Sequence, residues 1–155
     1  MRIKNQASII AIVLALLTAA VLAAVFAWPS QPQSQPTGSA SLTVSVSGIA
    51  NNKGQILVAV CDKATFLKHC THGAMAQPAP TVELRFPQLT PGDYAVMVLH
   101  DENGNHVMDK TANGIPLEGY GFSRNARGKY GPPSFEDAMV ALKPGPTRIS
   151  IELVY

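Results

Sequence analysis

From residue 41 onward, apolar and polar residues take turns along most of the chain. Leu42, Val44 and Val46 alternate with serine and threonine in "SLTVSVSGI". A period of two is that of a strand with one buried face. "NNKG", Asn51 to Gly54, tolerates positive φ and predicts a hairpin turn. "QILVAVC", Gln55 to Cys61, is apolar at successive positions, the mark of a central strand covered on both sides. Val82, Leu84 and Phe86 alternate with charged neighbours, Pro91-Gly92 predicts a turn, and Asp93 to His100 is again apolar on both faces. Ala138, Val140 and Leu142 resume the alternation, "KPGP" turns the chain, and Ile149, Ile151 and Leu153 close it. Six strands are clear and the pattern has room for a seventh. With no long helical period after residue 40, the expected fold is all-β: an antiparallel β-sandwich of about seven strands.

Three stretches fall outside that alternation. Asp62 to Cys70 predicts a turn of helix, too short to form a layer. Thr71 to Pro80, broken by Pro78 and Pro80, predicts an irregular loop. Asp101 to about Phe135 reads as one long loop with six glycines and three prolines. Structureless loops of that length are uncommon in compact domains and are usually functional.

The N-terminus bears on the compartment. "MRIKNQ" is a short basic start, followed by an uncharged apolar run from Ala7 to Trp28. That is the plan of a secretory signal, with cleavage expected after Ala27. The run is also long enough to span a bilayer, so residues 1–28 read as a signal peptide or a membrane anchor. Either outcome exports the rest, and an uncleaved segment makes the membrane a partner. Residues 29–40, rich in Pro, Gln and Ser, predict an extended tether, leaving residues 41–155 as the folded domain. Cys61 and Cys70 are the only cysteines. An even count in an exported domain predicts a disulfide, and their spacing is not that of a CxxC redox motif. Twelve basic residues against ten acidic ones leave no basic stripe, so a nucleic-acid partner is not expected. The expected partner is an unidentified envelope ligand or protein.

The long loop carries the candidate chemistry. Asp101, Asn103, Asn105, Val107 (through its carbonyl) and Asp109 stand at positions one, three, five, seven and nine of a calcium-loop pattern. The pattern has defects: His106 replaces the usual glycine, and Ala112 the bidentate glutamate. A weak Ca²⁺ site is one expectation; side chains that cap their own turns are the other. His69, His72, His100 and His106 would form a zinc or copper site only if the fold gathered them. "GIPLEGYGFS" adds Glu118, Tyr120 and Phe122, a candidate loop or ligand site. Glu118 or Asp101 would serve a small hydrolase, with Ser123 a conceivable nucleophile, but no triad partner or nucleophile elbow accompanies them. No catalytic set is therefore assigned. The plainer reading has Tyr120 and Phe122 pinning the loop to the sandwich.

The run from Gly92 to Ala138, with "HDENGN", "GIPLEGYGFS" and "PPSFEDA" in succession, resembles the bacterial family DUF2141. The likeness extends more loosely back to Leu42. The family usually has Asn-Gly where this chain has Asn105-His106. The resemblance implies an exported envelope protein of Gram-negative bacteria with an immunoglobulin-like, transthyretin-like sandwich, and it implies no particular activity. The spacing of Tyr94, Val96, Val98, Asp101, Asn103 and Asn105 is also similar to that of carboxypeptidase-regulatory and surface-adhesin sandwiches. Some of these bind calcium at the matching loop, an analogy of fold alone.

Overall fold

The computed structural model describes residues 38–155. The expected signal or anchor, and the tether as far as residue 37, lie outside the described residues. Eight strands form among the described residues: β1 (Ala40–Ser47), β2 (Gln55–Cys61), β3 (His72–Ala76), β4 (Thr81–Leu89), β5 (Gly92–Asp101), β6 (Gly119–Phe122), β7 (Met139–Leu142) and β8 (Gly145–Glu152). One sheet has the order β4-β1-β8. The other runs β3-β2-β5-β6, with β7 also paired to β5.

The alternating residues do what their period requires. Leu42, Val44 and Val46 of β1 meet Ile56, Val58 and Val60 of β2 and Val96 and Val98 of β5 in one core between the sheets. Phe86, Leu89 and Ile151 complete it. Burying a side chain of this size stabilises by about 1.5–3 kcal/mol, so this layer holds the sandwich together.

Several expectations need correcting. Thr71 to Pro80 is not wholly irregular: β3 lies there, antiparallel to β2. Its sequence, "HGAMA", has small residues with little strand preference, so the pairing comes from the ladder β2 offers rather than from the local pattern. The stretch from Asp101 to Phe135 is not one loop. It contains β6 and a turn at Ser123–Asn125, and it ends at the short helix α1 (Phe135–Ala138). Ala138 therefore belongs to α1, and the strand resumes at Met139. The Ser134 hydroxyl caps α1 by accepting from the Asp137 N–H. The sheets are mostly antiparallel, but β8 lies parallel to β1. Asp62 to Cys70 does make a single turn, closed by Phe66 N–H donating to the Asp62 carbonyl at 3.0 Å.

β5 changes partner midway. Its first half pairs with β7 and its second half with β6. At the break the Val96 N–H is taken by the Ser123 hydroxyl, which itself donates to the Ala138 carbonyl. The Cys61–Cys70 disulfide forms. It sits in a second, smaller core on the outer side of the five-stranded sheet. There Phe66 packs edge-on against Phe122 and Phe135.

Candidate functional site

The two sheets have opposite outer faces. Outside the three-stranded sheet, cross-strand neighbours are polar: Thr43 stands between Arg85 and Arg148, and Ser45 between Glu83 and Ser150. Outside the five-stranded sheet they are apolar. One row across the strands reads Met75, Leu57, Leu99, Tyr120, and the next reads Gly73, Ala59, Met97, Phe122. These outward residues are the second apolar set of β2 and β5. Among the described residues no third sheet covers them, and the smaller core covers the second row in part. The first row spans three interstrand spacings, about 14 Å. In the second row, Gly73 and Ala59 make a hollow.

Two overhangs wall this platform. The first runs from His106 to Pro116 and holds a miniature hairpin. Lys110 bridges Pro116, the Thr111 N–H donates to the Ile115 carbonyl at 2.8 Å, and the Leu117 N–H donates to the Asp109 carbonyl at 2.8 Å. The second is the turn from Gly128 to Pro132. Platform and walls enclose a groove of about 900 Å³. Met75 and Ile115 are 62% and 61% exposed, and Tyr130 is 92% exposed, so a groove of apolar character opens to solvent. Among the described residues Lys110 and Lys129 are the charged members of its lining, with His106 beside them, and no carboxylate lines it.

The long loop is held at its base by carboxylates. Asp101 is fully buried. Its Oδ1 accepts from the N–H groups of Gly104 and Asn105, and its Oδ2 from the His106 N–H and the Gln55 amide. Burial pushes the Asp101 pKa up, but the N–H groups of His106, Gly104 and Asn105 and the Gln55 amide more than offset this, so the net shift is downward. Glu118 joins the two ends of the loop: Oε1 accepts from the Glu102 N–H at 3.0 Å and Oε2 from the Asp109 N–H at 3.1 Å. Asn103 and Asn105 each use their side-chain oxygen on the N–H two residues ahead, and both send their amide to Asp109. In this arrangement the oxygens of Asp101, Asn103 and Asn105 accept N–H groups of their own loop.

A third arrangement lies beside the base of that loop. His100 is fully buried, and its Nε2 lies 2.8 Å from the Lys53 carbonyl, which only accepts. Nε2 therefore carries the proton, and Nδ1 accepts from the Tyr155 hydroxyl at 2.6 Å. That hydroxyl in turn accepts from the Ala50 N–H at 2.9 Å. The Tyr155 ring lies so close to Gly119 that a Cβ there would come within 2.4 Å of it. Burial raises the Tyr155 pKa.

A model of the family described as "Uncharacterized protein conserved in bacteria (DUF2141)" matches residues 44–150. The chain belongs to DUF2141. No curated protein and no solved structure matches it. The DUF2141 match takes in both walls of the groove and the whole carboxylate-tied loop.

Of the residues singled out from sequence, Asp101, Asn103, Asn105, Asp109 and Glu118 converge on one hydrogen-bonded loop. Tyr120 and Phe122 lie apart from them, in the groove floor. Glu118 and Ser123 commit their oxygens to backbone groups. The histidines do not assemble: among the described residues no group of three or more His, Cys, Asp or Glu side chains is placed to hold a metal ion. The platform residues Leu57, Ala59, Met97 and Leu99 were not singled out, although the doubled apolar pattern of their strands was the signal for them.

Proposed function

We propose that this protein is an exported, non-enzymatic cell-envelope binding module, and that the groove outside the five-stranded sheet is its binding surface. One observation carries the reading: a two-layer sandwich needs one apolar face per sheet, and this sheet has two. Concave, mostly apolar sites with a few polar groups at the edge are the usual form of small-molecule pockets, and about 900 Å³ lies within their range of roughly 300–1,000 Å³. The methionines Met75, Met97 and Met108 suit such a surface, since their flexible side chains adapt to a ligand. The basic, apolar leader and the disulfide support export.

A neutral hydrophobic fluorophore, N-phenyl-naphthylamine, tests the surface. It should bind saturably with one site per chain. Gly73 has room for a Cβ, whose nearest contact would be 3.8 Å away, so Gly73→Leu should fold and fill the hollow. Equal binding by Gly73→Leu and the parent, or no saturable binding by the parent, would overturn the reading. Export is tested by cell fractionation: oxidised protein in the envelope supports it, and reduced protein in the cytoplasm contradicts it.

A further inference from the structure

We infer that the occupant of the groove is a single-chain fatty acid, its tail on the two apolar rows and its carboxylate at Lys110 and Lys129. The inference rests on the groove being a binding surface, and it adds the ligand class. The floor supplies only hydrocarbon, aromatic and thioether contacts: Met75, Leu57, Leu99 and Tyr120 in one row, Ala59 and Met97 in the next. The Tyr120 hydroxyl, at one end of the first row, is the only side-chain hydrogen-bonding group among these floor residues, so the part lying along the rest of the floor is apolar. The walls differ. Lys110 comes from the hairpin wall and Lys129 from the turn at Gly128 to Pro132, and both are exposed and line the groove.

The lining holds these two cations and no Asp or Glu, in a protein whose ten acidic residues nearly balance its twelve basic ones. Charge of one sign in the lining of an apolar trough complements an anionic head. Lys129 also lies over the Tyr130 ring, its Nζ 5.2 Å from the centroid, which places its charge on the wall. A single chain suits the size of the cavity and a platform four strands across and two rows deep.

The experiment uses displacement of N-phenyl-naphthylamine from the folded protein, at low salt and below micelle-forming concentrations. The competitors are decanoate, octanoate, decanol and decyltrimethylammonium. Decanoate should bind about tenfold more tightly than decanol, within the range that two exposed charge pairs supply. Decyltrimethylammonium should bind more weakly than either. Octanoate should bind about fourfold more weakly than decanoate for each methylene removed. In Lys110→Gln/Lys129→Gln, decanoate should fall to the affinity of decanol, while decanol is unchanged. Equal binding of decanoate and decanol by the parent, or a preference that survives in the double variant, would overturn the head-group assignment and leave the groove reading intact. Failure of every chain to displace a probe that does bind would overturn the fatty-acid occupant. Failure of the probe itself to bind would overturn the groove reading beneath it.

Discussion

Replacing Asp101 with alanine removes the acceptor around which the long loop is wound. Three backbone N–H groups, from Gly104, Asn105 and His106, and the Gln55 amide lose their partner together. Hydrogen bonds to a charged acceptor contribute about 1.5–3 kcal/mol each when their donors are kept from water. Here Gly104, Asn105 and His106 are exposed, so their N–H groups can turn to solvent, and about 1 kcal/mol per bond is the better figure. The Gln55 contact is long at 3.4 Å and adds little, so the three backbone bonds set the expected loss at about 3 kcal/mol. With a urea slope of about 2 kcal/mol/M, the unfolding midpoint should fall by about 1.5 M. Hydrogen exchange should rise at those three amides before it rises in β2 or β5. The effect should depend on pH in one direction. The folded-state pKa of Asp101 is depressed below 3.8. Its contribution is therefore full above that value and is lost as the pH falls through the lower folded value, where parent and variant should converge. A midpoint within about 0.3 M of the parent at neutral pH, an error-sized shift for this method, would refute the carboxylate as organiser of the loop.

Other outcomes follow from the same contacts. Cys61→Ser/Cys70→Ser should lose about 2–3 kcal/mol in urea unfolding, because the disulfide closes a short loop; an unchanged midpoint would contradict this. Tyr155→Phe should cost about 1 kcal/mol by leaving the buried His100 Nδ1 without its donor. Because the folded Tyr155 pKa is raised above 10.0, that difference should be present below pH 10 and shrink as the pH climbs through the folded value. Millimolar calcium should leave the melting midpoint unchanged, since the loop oxygens already accept N–H groups; a clear rise would show that the loop rearranges around the ion. Leu99→Ser should weaken probe binding severalfold while lowering stability by less than about 2 kcal/mol, because Leu99 faces the groove and not the inter-sheet core.

The sandwich was legible wherever one face of a strand is buried and the other wet, as in β1, β4 and β8. It was illegible where tertiary contacts override local preference. β3 and β6 are short and rich in glycine and alanine, and they are strands because β2 and β5 present open ladders to them. The glycines of β6 mark where the Tyr155 ring and the end of β8 press close, which no single segment reveals. The calcium-like spacing of Asp101, Asn103, Asn105 and Asp109 did report a shared structure. The same oxygens that would ring a cation also cap N–H groups, and spacing alone does not separate the two. The doubled apolar pattern of β2 and β5 was read as a strand covered on both sides. Both strands are central, yet their outer face is the floor of the groove, a distinction that depends on what lies opposite in space.

The methionines allow the groove to be tested most directly. Met75, Met97 and Met108 line it and Met139 does not, although Met97 and Met139 both pack against the smaller core. With carbon-13 methyl-labelled methionine, decanol should be titrated into the folded protein and the methyl resonances followed by NMR. Met75, Met97 and Met108 should shift together along one saturable curve, with Met139 nearly still. Shifts in all four alike, or in none, would contradict a ligand seated on the outer face of the five-stranded sheet.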